Sequence, residues 1–239
     1  MKNKRFHGKI WEEYQLFTLA CPHFEELQNT LAKTIALEFK DKNISEIKVL
    51  EIGCGPGFTT LVILDSDERA KVTAIDNESI MIEQAKIILK DLIAEKRVEL
   101  IEDDALEFLK KEPSDSYDVF ASWFTLHNFS NEFREKVITE IYRVLKPEWI
   151  FINADKYAID DESKHKASLA WQLQQFQEKY SEIDRPDINE KWTAHYIEDN
   201  RSETIMKESK SKNLMKDIGF KEIRTLFRKQ MEALIFARK

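Results

Sequence analysis

The stretch Val49-Leu50-Glu51-Ile52-Gly53-Cys54-Gly55-Pro56-Gly57 constrains the fold of this chain more than any other part of it. An apolar run ends in an acid, and three of the chain's five glycines follow at alternating positions. Glycine lets a backbone turn through positive φ and approach a ligand with no Cβ in the way. Phe58 to Leu64 is helix-compatible, so the stretch reads as strand, tight loop, helix. That is the entry of a nucleotide-type site in an α/β fold. A dinucleotide fingerprint, G-x-G-x-x-G, would need its third glycine where Phe58 stands.

A chain of 239 residues can bury a sizeable core and fits one large α/β domain, or one domain with an elaboration. Charged residues make up 34% and the net charge is −7, so no basic stripe for unaided nucleic-acid binding stands out. The two cysteines, Cys21 and Cys54, lack metal spacing and suggest a reducing compartment. The basic N-terminus is not followed by an apolar signal region, and no apolar run is long enough to span a bilayer. A cytoplasmic protein with no membrane contact is expected.

Taken in order, residues 1–46 read as an N-terminal helical cap. Phe6, Trp11, Tyr14 and Phe17 form an aromatic lead-in, and Phe24, Leu27, Leu31 and Ile35 recur at helical spacing. Residues 47–239 read as the main domain. Strands are expected at Ile47 to Ile52, Lys71 to Ile75, Arg97 to Ile101, Tyr117 to Trp123 and Trp149 to Ala154, alternating with helices. One of those helices carries Met81, Ala85, Ile88 and Leu92 as its buried stripe. Such alternation predicts a Rossmann-like, mostly parallel sheet of about seven strands with helices on both faces. Residues 157–218 exceed one crossover and read as a helical insertion, lying over the sheet's C-terminal edge or at a homodimer contact. Its Leu169, Leu173, Phe176 and Tyr180 share a face, and Arg185-Pro186 breaks the helix. Asn200 with Glu203 is a capping-box pattern for the last helix, and Gly219 is placed to end it. Phe220 to Phe227 and Met231 to Ala237 close the sheet.

Asp76-Asn77 ends the second strand about 25 positions beyond Glu51, the distance at which nucleotide-binding folds place a carboxylate on ribose hydroxyls. Glu102-Asp103-Asp104-Ala105 follows the third strand, where Asp103 or Asp104 can also cap the next helix. With the Glu-x-Gly-x-Gly-x-Gly loop, these residues resemble the class I S-adenosylmethionine (AdoMet) methyltransferases over roughly residues 45–155. The resemblance implies AdoMet as donor and S-adenosylhomocysteine as product. It implies a donor site drawn from Glu51, Gly53, Cys54, Gly55, Gly57, Asp76, Asn77, Met81, Asp103, Asp104, Ala105, Ser122 and Trp123. The glycine loop would meet the methionine portion, Asp76 the ribose, and Asp104 with Ala105 the adenine. Where the family often reads Leu-Lys-Pro-Gly-Gly, this chain has Leu145-Lys146-Pro147-Glu148-Trp149.

A looser similarity covers Cys21-Pro22-His23-Phe24, Phe124-Thr125-Leu126 and Asp155-Lys156-Tyr157. It points to the carboxy-AdoMet synthase branch of tRNA wobble-uridine modification. That branch implies an insertion arginine for the added carboxylate, with Arg185 and Arg201 as candidates. Motifs for base amino-methylation and cytosine carbon methylation are absent from the matching positions, and no metal is expected.

In-line methyl transfer needs alignment first, and a base only where the nucleophile must lose a proton. His127, beyond the fourth strand, is the first candidate base, and His195 in the insertion the second; Tyr14 is a further catalytic candidate. His127 reads equally well as a core or capping histidine. Trp123, Phe124 and Tyr157 can line a sulfonium by cation–π contact, or serve as plain core. Aromatic residues of the lead-in (Trp11, Tyr14), the Pro22-Phe24 elbow and the insertion (Trp192, His195, Tyr196) are expected to converge over the methyl. The reading is a methyltransferase acting on a small-molecule acceptor. A tRNA substrate and a non-catalytic AdoMet-binding subunit stand as alternatives.

Overall fold

The computed structural model describes Leu16, Thr18 and residues 21–239; the expectations for Phe6, Trp11, Tyr14 and Phe17 fall outside the described residues. Seven strands form one sheet: β1 (Ile47–Ile52), β2 (Ala70–Asp76), β3 (Val98–Glu102), β4 (Tyr117–Trp123), β5 (Leu145–Lys156), β6 (Lys221–Lys229) and β7 (Glu232–Arg238). Their order is β3-β2-β1-β4-β5-β7-β6. The first five run parallel, while β7 is antiparallel to both neighbours. The order reverses between β1 and β4, and α/β sheets bind ligands beyond the strand ends at such a switch point.

Central strands covered on both faces must be apolar throughout rather than alternating. β4 obeys this, with all seven residues buried. One face packs under helices α1 (Phe24–Phe39), α2 (Phe58–Ser66) and α3 (Ser79–Ile88), and under the insertion. After a short α4 (Lys90–Ala94), the other face takes α5 (Ala105–Lys111), α6 (Asn131–Val144) and, beyond the insertion's first helices, α9 (Glu208–Ile218). The insertion supplies α7 (Glu162–Glu182) and α8 (Pro186–Glu198). Pro186 opens α8 at a position where its missing N–H costs nothing. In α1, the expected stripe of Leu27, Leu31 and Ile35 is fully buried and runs on to Phe39.

Three local expectations differ from what forms. The helix after β2 does not run through Leu92; it stops at Ile88, and α4 restarts at Lys90. The last helix does not begin at an Asn200–Glu203 capping box but at Glu208. Asn200 cannot cap it, because its amide donates back to Tyr196 O and its carbonyl meets His165 Nε2. Residues 199–204 form hydrogen-bonded turns instead, and a parallel bridge between Ala158 and Lys207 leads into α9. β5 starts earlier than expected, at Leu145, and Glu148 takes φ +67 where the family often has glycine. The left-handed turn therefore survives the substitution. Gly219 does end α9, at φ +126.

Candidate active site

The loop after β1 is shaped by its two nearest walls. Gly53 takes φ +73, and a Cβ there would fall 2.1 Å from Thr125 Oγ1, so only glycine fits against the turn after β4. Gly53 and Cys54 both donate to Ile75 O, tying the loop to β2. Gly57 opens α2 at φ +94 with Leu89 beside it. Gly55 differs: at φ +53, a Cβ would meet nothing within 4 Å. The loop thus presents bare backbone to an open space.

Two carboxylates border that loop. Glu51 is fully buried; its Oε2 accepts from Thr60 at 2.6 Å, and its Oε1 has no hydrogen-bond partner among the described residues. Burial, with Asp76 adding to it, pushes its carboxyl up to about 7 against the relief that Thr60 gives. Asp76 accepts from Gly55 N at 2.9 Å and from Glu78 N at 3.0 Å, yet burial still raises it to about 6. The Cys54 thiol is buried and pushed up by the same desolvation, with Asp76 and Glu51 adding to it. A buried and a half-buried carboxylate with no cation between them among the described residues, one with an orphaned oxygen, fit a ligand bearing an amino group and hydroxyls. AdoMet bears both. When bound, it supplies an electrophilic methyl group.

The remaining donor-side positions lie along the same edge. Asn77 is exposed at the end of β2 and Met81 is buried in α3. Asp104 caps α5, its Oδ1 accepting from Leu106 N and Glu107 N, with Ala105 buried behind it. Asp103 pairs with Lys111 and accepts from Asp104 N. Ser122 is fully buried and donates to Ile52 O, so here it ties β4 to β1. Trp123 is buried edge-on against Phe24, with ring centroids 4.7 Å apart, and packs on Phe124.

Beyond β4 the chain makes a short 3-10 turn, Leu126–Asn128, that carries His127. His127 is 4% exposed. Its Nδ1 lies 2.6 Å from Asp155 Oδ1, and its backbone N–H donates to Asp155 Oδ2 at 3.3 Å. Its Nε2 stands 3.7 Å from Asp199 Oδ2, and His195 Nε2 stands 3.5 Å from the same oxygen. Lys156 donates to that oxygen as well and lies over the Tyr196 ring at 3.8 Å. Burial works to raise the Asp199 carboxyl, but Lys156, His127 and His195 outweigh it and hold it at about 2. The ligating atoms of His127, His195 and Asp199 lie within 4.8 Å of one another. The Lys156 ammonium already supplies the positive charge such a group would attract.

The structure thus brings His127 together with His195, Trp192 and Tyr196. Asp155, Lys156 and Asp199 complete the cluster, and none of them was singled out as a site residue from sequence. The available signals were a polar Asp155-Lys156 closing an otherwise buried strand, and Asp199 one helical turn beyond His195. Arg185 is half-buried and pairs with Asp187, and Arg201 is exposed and pairs with Glu198.

Residues 49–148 match a family model described as a methyltransferase domain. A carboxy-S-adenosyl-L-methionine synthase from Nautilia profundicola is 27% identical over 246 residues, covering 95% of each chain. A demethylmenaquinone methyltransferase from Leptospira interrogans is 34% identical over 118 residues, 49% of this chain and 46% of that one. Apart from the Nautilia protein, the chain spans about half the length of the curated relatives it matches first. A structure of a SAM-dependent methyltransferase from Aquifex aeolicus superposes with a TM-score of 0.57 at 18% identity, covering 94% of this chain and 97% of that one. Its likeness bears on the fold. Family match, sheet order and glycine loop agree: residues 49–148 carry a methyltransferase domain, on the α/β fold of the class I S-adenosylmethionine-dependent enzymes.

Proposed function

We propose that this protein transfers the methyl group of AdoMet to a small-molecule acceptor bound beneath the insertion. The observation that carries the reading is the pair Glu51 and Asp76: a buried and a half-buried carboxylate beside a bare glycine loop, the first with an oxygen that no group among the described residues satisfies. A hydrogen bond to an ionised acceptor is worth about 1.5–3 kcal/mol, so filling that vacancy would favour a donor with an ammonium and a ribose. The acceptor side is enclosed by residues of α7, α8 and the turn after β4, rich in rings such as Trp123, Phe124, Trp192 and Tyr196. Rings offer large apolar area with polar handles and suit a small, partly apolar molecule better than a polyanion. A groove of about 810 Å³ lies at the opposite edge, near Lys48, Lys71, Arg97 and Tyr117. It is remote from the glycine loop.

Within this reading, Asp76 and the backbone N–H groups of the loop orient the donor, and the insertion excludes water. Holding nucleophile and methyl in line can supply about 7–11 kcal/mol of the barrier. A second reading takes support from the full-length match to the Nautilia synthase: a synthase that modifies the donor itself. The exposed position of Arg201 weighs against that residue as its carboxylate ligand. Calorimetry with AdoMet, S-adenosylhomocysteine and NAD tests the proposal. AdoMet and its product should bind while NAD does not, and tight NAD binding without AdoMet binding would end it. A methylation assay with a metabolite extract and with tRNA then separates small-molecule from nucleic-acid acceptors.

A further inference from the structure

In-line methyl transfer to a neutral amine needs no base, yet the acceptor side is built around an oriented imidazole. Asp155 is fully buried and accepts four hydrogen bonds: from His127 N, His127 Nδ1, Lys156 N and Asn153 Nδ2. Two of the four hold His127. A carboxylate on Nδ1 fixes the tautomer in which Nε2 carries the lone pair. The backbone around the ring is fixed as well. Arg134, 4% exposed, donates to the carbonyls of Leu126, His127, Phe129 and Thr204. Thr125, two residues before His127, packs against Gly53 of the donor loop. Phe124, just before Thr125, takes φ +49, a conformation disfavoured for a large side chain. Such strain clusters at functional sites. The imidazole is therefore locked in angle and tied to the loop that holds the donor.

The groups facing His127 decide what it can do. They are Asp155 and Lys156 from β5, Arg134 from α6, His195 from α8 and Asp199 just beyond it. With a proton gained at Nε2, the ring would lie between two carboxylates, Asp155 on Nδ1 and Asp199 3.7 Å from Nε2. The His195 side chain is 16% exposed and shares Asp199 Oδ2, giving that proton a route outward. A water-sized cavity of about 10 Å³ borders His127, Lys156, His165 and Asp199 along the way.

We propose, resting on the methyltransferase reading, that the acceptor carries an ionisable hydroxyl, a phenol or enol, whose proton His127 Nε2 removes. Asp155 is the positioning residue that holds the ring for this. The acceptor O–H bond breaks, its electron pair stays on oxygen, and an N–H bond forms at Nε2. The donor supplies the methyl that this oxygen pair takes, and the methyl–sulfur pair stays on sulfur. The imidazolium returns its proton to water by way of His195. A phenol or enol is acidic enough to give its proton to an oriented imidazole, whereas an aliphatic alcohol is not.

The test uses the complex with S-adenosylhomocysteine and 4-nitrophenol as probe, read by phenolate absorbance below the probe's own pKa. Calorimetry first establishes that the product binds. The complex should bind 4-nitrophenol as its phenolate. Asp155→Asn and His127→Gln should keep their affinity for S-adenosylhomocysteine and lose at least tenfold in phenolate formed. If Asp155→Asn fails to fold, His127→Gln alone carries the test. Product bound while the phenol stays protonated, or both variants behaving as the native protein does, would overturn the proposal and leave the methyltransferase reading intact. No product binding would remove both. Methylation of benzylamine but of no phenol, with a pH profile set by the amine, would also overturn it.

Discussion

The two halves of the site handle buried charge in opposite ways. On the proposed donor side, Glu51 and Asp76 sit together with no cation among the described residues, and burial pushes them up to about 7 and about 6. On the acceptor side, Asp199 is equally deep but is held at about 2, because Lys156 and two histidines surround it. Desolvation disfavours a lone charge and a paired one tolerates it. One half is electrostatically complete in the protein alone; the other is completed by what binds. The insertion is therefore anchored by its own ion pairs, whereas the glycine loop is tuned for a cationic ligand.

The largest effect should come from breaking the complete half. Lys156→Met removes the ammonium that compensates Asp199 in the interior and should cost about 3–5 kcal/mol of stability in urea denaturation. The double variant Lys156→Met with Asp199→Asn should recover most of that loss, since the charge goes with its partner. Equal destabilisation by single and double variants would mean that Lys156 acts through packing on Tyr196 instead.

Asp76→Ala should act on the donor half alone. Donor affinity should fall by about 1.5–3 kcal/mol while the melting temperature without ligand holds or rises, because an uncompensated carboxylate is removed. A collapse of stability with unchanged affinity would make Asp76 a structural cap. Gly55→Ala sharpens the same point. Its φ of +53 costs about 1–3 kcal/mol, but no protein atom lies within 4 Å of the new Cβ. Loss of donor binding well beyond the loss of stability would show that the open space belongs to the ligand.

The smallest effect is in pH. Because Glu51 and Asp76 are raised in the folded state, the ligand-free protein binds extra protons between the ordinary carboxylate range and about pH 7. Their contribution to stability is therefore greatest below that window and is lost as pH rises through it. A bound cation reverses the trend. The rise in melting temperature on adding S-adenosylhomocysteine should be larger at about pH 8 than at about pH 5.5.

How much of this was legible in the sequence follows from the same division. The donor half is local: Glu51 and the three glycines lie within one strand–loop–helix unit, and Asp76 ends the next strand. Steric demands at Gly53 and Gly57 leave a mark that a reader can see. The acceptor half is assembled from β5, the turn after β4 and the end of α8, so His127, Asp155 and Asp199 meet only when the insertion docks. Asp155 and Lys156 looked like a strand end. The capping-box reading at Asn200 failed for a related reason: a tertiary contact with His165 claimed the side chain. Arg134, which clamps the His127 turn, looked like one more charged position on an amphipathic helix.

The central claim, that the donor half is an uncompensated pair of carboxylates awaiting a cation, is tested most directly by proton linkage. Calorimetric titration of S-adenosylhomocysteine near pH 6.5, in two buffers of different ionisation enthalpy, reads the protons exchanged on binding. Net proton release is predicted, because a bound ammonium lowers the Glu51 and Asp76 carboxyls toward their ordinary range, and Asp76→Ala should shrink it. Tight binding with no proton released, or with protons taken up, would contradict the claim.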